Sequence, residues 1–263
     1  MSSLIVVVAL FGLAVGSFLN VVIHRVPAGM SLSRPGSHCP VCEHQIRNRH
    51  NIPVVSWLVL LGKCADCRAR ISVRYPVVEL LTAAIFIALV VRIAGEHELA
   101  TLPAVLYFAA MGVCLSVIDL DVGRLPNAIV YPSYPVLAVL LAIAAFEQDD
   151  PAALLRAAVG AVALFLLYFA FAFLYPAGMG FGDVKLAGII GGVLGFVSYP
   201  VLLVGALAAF LLGSIVGIVK IVRGRASGRS ALAFGPFMIA GALLSLFIGS
   251  AITEFYSTVL LGA

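Results

Sequence analysis

The chain has 263 residues, of which 63% are hydrophobic and only 11% charged, and its mean hydropathy is +1.16. A water-soluble domain needs more polar surface than this, so the composition excludes one and implies a polytopic membrane protein. The formal net charge of +4 is accounted for by membrane orientation and attraction to anionic headgroups of membrane lipids, and no nucleic-acid partner is needed to explain it.

A spanning helix needs about 20 apolar residues to cross roughly 30 Å of hydrocarbon, and only a helix satisfies its own backbone there. The apolar runs predict an all-α protein of about eight transmembrane helices, at 3–24, 76–94, 102–119, 128–146, 152–175, 183–197, 200–222 and 235–256. The first run lacks a basic leader and an A-x-A site and is followed by a strongly basic segment, so it reads as an anchor and not a cleaved signal. The sixth is short and rich in glycine, and its separation from the seventh rests on Ser198-Tyr199-Pro200.

Between the first two spans lies the only sizeable polar segment, 25–75. It carries Cys39-Pro40-Val41-Cys42 and Cys64-Ala65-Asp66-Cys67, two C-x-x-C pairs with 21 residues between them. That spacing is the pattern of a zinc ribbon, in which two knuckles supply four thiolates to one tetrahedral ion. A segment this small buries little core, which gives a metal staple a physical reason. Four thiolates leave no open position for water, so such a zinc is structural. Two disulfides are the alternative, disfavoured in a cytoplasmic segment. With the shell complete, His24, His38, His44 and His50 are expected at the surface, and Cys114, inside an apolar span, simply packs.

Further along, Asp119 ends the apolar run from Leu102 to Ile118 and is followed two residues later by Asp121. Asp183 closes Gly180-Phe181-Gly182-Asp183 between two apolar runs. Gly188/Gly192, Gly191/Gly195 and Gly213/Gly217 have the G-x-x-x-G spacing that lets helix backbones approach. Pro126, Pro176 and Pro236 read as helix boundaries. No internal repeat stands out.

The basic residues orient the chain. Segment 25–75 holds eight of them, and with eight spans Arg124, Lys185, Lys220, Arg223, Arg225 and Arg229 share its side. Arg92 and Arg156 fall opposite, where Glu96, Glu98, Glu147, Asp149, Asp150 and Glu254 collect. This predicts both termini outside, with 25–75 and the three aspartates at the cytoplasmic face.

An ionisable group in or at the edge of a span costs roughly 3 kcal/mol on insertion scales and is a functional candidate. Two carboxyl groups in one poorly hydrated site share a proton, which supplies an acid and a base from identical side chains. Asp119 and Asp121 point about 200° apart on a helix, so only one of them can face Asp183. The plain alternatives are a solvated charge at a helix end and, for Asp183, a cap worth about 1 kcal/mol. The residues alone leave both readings open.

Nearly end to end, the chain resembles the type IV prepilin peptidases, GxGD-type intramembrane aspartic proteases of bacteria. The likeness rests on Gly16-Ser17-Phe18-Leu19-Asn20 through His24-Arg25, Arg34-Pro35-Gly36-Ser37-His38-Cys39 and Asn51-Ile52-Pro53-Val54-Val55-Ser56-Trp57. It continues through Ile71-Ser72-Val73-Arg74-Tyr75-Pro76-Val77-Val78-Glu79, Gly178-Met179-Gly180-Phe181-Gly182-Asp183-Val184-Lys185-Leu186 and Phe234-Gly235-Pro236-Phe237. The resemblance implies a catalytic aspartate seven positions before Pro126-Asn127, which selects Asp119 as the partner of Asp183. It also implies cleavage, after a glycine on the cytoplasmic side, of the basic leader preceding the apolar N-terminal helix of prepilins and pseudopilins of type IV pilus and type II secretion systems. Methylation of the new amino terminus with S-adenosylmethionine is implied as well, in association with the cysteine segment.

The expected organisation is a first helix (1–24), a cytoplasmic zinc-ribbon-like insertion (25–75) with Cys39, Cys42, Cys64 and Cys67 as metal ligands, and a peptidase domain (76–263) in the bacterial inner membrane. Asn20, Arg25 and Glu79 fall in the family motifs and are expected to snorkel, cap or bond between helices rather than touch a ligand. Lys185 and Arg124 lie near the aspartates in sequence. Two rival readings are an ion-coupled transporter, which would hold its acids near mid-membrane, and a peptidase without methyltransferase activity.

Overall fold

The structure, a computed structural model, describes residues 2–96, 99–175, 179–224 and 233–260. Pro176, Gly178, Glu98, Arg225 and Arg229 lie outside them. The helices are α1 (Ser2–Arg25), the short α2 (Val55–Val59), α3 (Arg74–Glu96), α4 (Leu102–Val122), α5 (Asn127–Glu147), α6 (Ala152–Leu174), α7 (Phe181–Val197), α8 (Tyr199–Val222) and α9 (Gly235–Leu260). Each of the eight predicted runs is a helix. Six of them, α1, α3, α4, α5, α6 and α8, are long and apolar enough to cross a membrane. The uncertain division of the sixth and seventh runs falls where expected, since α7 stops at Val197 and the Ser198 hydroxyl caps α8 by accepting the Val201 amide at 3.3 Å.

The chain divides into two compact units, Met1–Gly95 and Glu96–Ala263. In the first, α1 lies against α3 through glycines. A side chain at Gly12 would meet the Ala83 Cα at 2.6 Å, and one at Gly16 would meet the Glu79 Cα at the same distance. Asn20 spans the pair, donating to the Tyr75 carbonyl at 3.1 Å. The end of α1 is tied to the loop that follows it. Buried Arg25 donates to the carbonyls of Ser31, Leu32, Pro35 and Gly36 at 2.7–3.4 Å. Glu79 accepts the Val54 amide at 2.7 Å and fixes the entry to α2.

In the second unit α4 and α7 are the inner helices, with Phe108, Leu115, Ile118, Val184, Leu186 and Leu194 fully buried. α5, α6 and α8 keep apolar outer faces, the surface that meets lipid. At the far end of α6 Arg156 donates to Asp150 at 2.8 Å and holds that carboxyl below the usual carboxylate range. Pro126 and Pro236 mark helix starts as expected, whereas Pro132 and Pro135 sit inside α5.

The glycine pairs separate into three kinds. Gly191 and Gly195 do bring backbones together, since side chains there would run into the Gly160 and Arg156 carbonyls of α6. Gly188 makes room for the Tyr134 hydroxyl, and Gly213 for the Phe234 ring. Gly217 faces open space. Gly191→Ala is therefore expected to cost about 1–3 kcal/mol, because backbone cannot yield as a side chain does, while Gly217→Ala stays within about 0.5 kcal/mol. Unfolding of the detergent-solubilised variants measures the difference, and equal stabilities would refute this packing.

Candidate active site

The 25–75 segment folds as two copies of one turn. In the first knuckle the Cys39 amide donates to the His44 carbonyl and the Glu43 amide to the Cys39 carbonyl. In the second, Cys64 donates to Ala69 and Arg68 to Cys64, at the same relative positions. Glu43 (φ 58°) and Arg68 (φ 62°) both follow the second cysteine of their pair in the left-handed region. Single antiparallel bridges, His38–Gln45 and Lys63–Arg70, close the two turns. This internal repeat is invisible in the residues because only the cysteines recur.

The repeat gathers four unoxidised thiols, with the Sγ atoms of Cys39, Cys42, Cys64 and Cys67 all within 4.8 Å of one another. Cys39 Sγ lies 3.8 Å from Cys67 Sγ, and a tetrahedron with metal–sulfur bonds of about 2.3 Å has edges of about 3.8 Å. The Cys42 and Val41 amides, pointing at the Cys39 sulfur, lower that thiol to about 6, whereas Cys42, beside the other sulfurs, is pushed up. The donor set therefore fits a zinc ion. His24 and His44 are exposed, His38 and His50 half-buried, and none joins the thiols.

In the second unit Asp119 stands one turn before the end of α4, which Gly123 closes in the left-handed conformation. Asp119 is buried, 5% exposed, and accepts the Gly235 amide at 3.1 Å, the first amide of α9. Asp183 lies in the first turn of α7, is 9% exposed, and interacts with the Gly180 amide behind it. The two carboxyl groups lie close enough for their charges to act on one another. Asp121 is exposed, as a 200° rotation from Asp119 requires.

Leu125 fills the space beside the two aspartates. A side chain at Gly182 would meet the Leu125 Cβ at 3.2 Å, and one at Gly235 would lie 2.9 Å from Asp119 Oδ2 and 3.4 Å from Leu125. The glycine of the aspartate motif is thus needed for a neighbouring helix end. Tyr168, fully buried, is near enough to feel the Asp183 charge, and its ring packs at a tilt against Phe210 and Phe234, with centroids 5.5 and 6.2 Å away. Sequence reasoning assigned no role to Gly235 or Tyr168. The Phe234-Gly235-Pro236 motif was a signal for the first, and nothing marked the second.

Lys185 and Arg124 both lie near the aspartates in sequence. Arg124 is exposed, and the Lys185 ammonium sits over the rings of Tyr131 and Phe181. In the first unit Asn20, Arg25 and Glu79 are engaged by the chain itself, as described above.

With this geometry in view, the comparisons are direct. Residues 10–93 match the bacterial peptidase A24 N-terminal domain, and residues 106–219 match the type IV leader peptidase family. The prepilin leader peptidase/N-methyltransferase of Aeromonas hydrophila is 35% identical over 95% of this chain and 93% of its own length. The chain belongs to the type IV leader peptidase family. The Bacillus subtilis (strain 168) protein of the same name is 34% identical over 96% of this chain and 98% of its own. An Escherichia coli relative, named a type 4 prepilin-like proteins leader peptide-processing enzyme, is 36% identical over 90% and 91%. No solved structure matches the chain significantly.

Proposed function

We propose that the protein is a membrane endopeptidase that removes the leader of prepilin-type substrates, with Asp119 and Asp183 as its acid–base pair. The observation that carries this reading is the meeting of two buried carboxyl groups, from α4 and α7, at one end of an otherwise apolar unit. Family membership supplies the substrate class.

Two carboxyl groups in such a place share a proton. The ionised one takes a proton from a water as that oxygen attacks the scissile carbonyl carbon, and the protonated one gives its proton to the carbonyl oxygen. The resulting tetrahedral diol collapses when the newly protonated aspartate gives its proton to the leaving nitrogen and the other takes one from a diol hydroxyl, which breaks the C–N bond, leaves a carboxylic acid and restores the shared proton. Either aspartate can begin as the base. The Gly235 amide fixes the orientation of Asp119 before substrate arrives.

If all eight long apolar runs cross, fourteen of the sixteen Lys and Arg residues fall on one side, which supports an orientation with both termini outside and the aspartates at the cytoplasmic face. There the junction between a basic leader and an apolar substrate helix would meet them, with cleavage after the glycine at that junction. The ion-coupled transporter gains nothing from carboxyl groups at helix ends. We assign Cys39, Cys42, Cys64 and Cys67 to a structural zinc that holds the two knuckles together.

The relatives' names include N-methyltransferase, for which S-adenosylmethionine would be the donor. Asn20, Arg25 and Glu79 bind the chain itself, so they do not form a ready donor site and no methyl-transfer step is assigned to them.

Incubating the purified protein with a prepilin and following leader loss by mass spectrometry tests the pair. Asp119→Asn and Asp183→Asn are each expected to lower the rate by at least about 10²-fold, the scale of acid–base catalysis, while Asp121→Asn keeps most of it. An active Asp119→Asn beside an inactive Asp121→Asn would reverse the assignment. Elemental analysis is expected to find about one zinc per chain, lost in Cys64→Ser together with protease resistance of the 25–75 segment. A metal-free wild type with an intact segment would refute the zinc.

A further inference from the structure

α7 presents a second chemistry on the side away from the aspartates. Phe181 and Lys185 are one turn apart, and Asp183 between them points about 200° round the helix from Phe181. Phe181 and Lys185 line a laterally open groove of about 500 Å³ between α5, α6 and α7, with Tyr131, Tyr134, Phe165 and Leu166 among its other walls. Apart from the lysine and the two tyrosine hydroxyls it is apolar.

The polar end is unusually positive. The Lys185 Nζ donates to Asn127 Oδ1 at 2.8 Å and stands 4.8 Å above the Tyr131 ring and 5.0 Å from that of Phe181. A neutral amide oxygen and two rings orient an ammonium but leave its charge uncancelled. Among the described residues no carboxylate pairs with it, and no acid lines the groove. Both α5 and α7 begin here, at Asn127 and Phe181, so two helix N-termini add to the positive potential. The Tyr134 hydroxyl is already committed, donating to the Lys185 carbonyl at 2.6 Å in the space Gly188 leaves.

We propose that this groove binds an anionic phospholipid, with its phosphate on Lys185 and an acyl chain along Phe165 and Leu166. One cation at the helix-start end of an otherwise apolar lateral groove has the polarity of such a lipid, and basic pockets between membrane helices recruit acidic headgroups. With a single cation as its only charged group, the groove selects by charge. The site is independent of whether Asp119 and Asp183 cleave anything.

Native mass spectrometry of the protein in neutral detergent, with phosphatidylglycerol or phosphatidylcholine of identical acyl chains, is the test. One phosphatidylglycerol is expected to be retained about five-fold better than phosphatidylcholine, the worth of one lysine near an acidic surface. Lys185→Gln is expected to abolish that preference, Lys185→Arg to keep it, and Leu166→Trp, which fills the exposed groove, to weaken phosphatidylglycerol binding. Lys220→Gln, at the end of α8, leaves the preference unchanged. Retention of the preference in Lys185→Gln, or its absence in the wild type, would overturn the proposal. So would displacement of bound phosphatidylglycerol by a prepilin N-terminal peptide, which would make the groove a substrate surface.

Discussion

The constraint on which the second unit depends is that two carboxyl groups are kept together out of water in an apolar helix assembly. Burial of an unassisted carboxylate is costly; Asp119 is met by the first amide of α9, that of Gly235, and Asp183 lies in the first turn of α7, where the helix dipole favours negative charge. Asp119 needs this help more, because it lies near the carbonyl end of its own helix, where the dipole opposes negative charge. The amide comes from 116 residues away in sequence, so the ionisable site and the packing of α4 against α9 are one structural problem. The glycines follow from the same demand. At 182 and 235 they leave room for Leu125, and at 235 also for the Asp119 carboxyl group.

The first unit is held by other means. Its polar segment has almost no hydrophobic core, and its order comes from directional bonds: four carbonyls gathered by the Arg25 guanidinium, the Val54 amide on Glu79, and two knuckles that bring four sulfurs within 4.8 Å of one another. A zinc there would act as the missing core. The polar residues of the sequence motifs are used in this way, as interior fasteners of a small fold, which is why they offer little to a ligand.

Much of this was legible in the sequence. Hydropathy located all eight apolar helices because lipid enforces helicity, and length in the six that are long enough to cross, and even the junction at Ser198 was marked by a proline. The paired C-x-x-C spacing anticipated the thiol cluster, and helical rotation separated Asp119 from Asp121. What the sequence concealed were contacts between distant segments. The knuckle repeat lies in backbone hydrogen bonds that different residues share, and Gly235 and Tyr168 reach the aspartates only through tertiary folding. The G-x-x-x-G spacing did not distinguish Gly191, which touches backbone, from Gly188, which admits a phenol, or Gly217, which touches nothing.

The helix α7 shows why one short segment carries so much. It has 17 residues, about 26 Å of rise, less than the roughly 30 Å of hydrocarbon, and three of its faces are occupied. Asp183 lies within electrostatic range of Asp119, Gly191 and Gly195 press on α6, and Lys185 and Gly188 engage α5. A helix clamped on three sides has little freedom to rotate, and rotation by a single residue, about 100°, would carry Asp183 off its partner. The glycines that weaken a helix in isolation are here the means of holding it, since they allow backbone and phenol contacts too close for any side chain. Rigidity at the aspartate is therefore purchased along the whole length of α7, and the residues that fix its angle belong to the site as much as the carboxyl groups do.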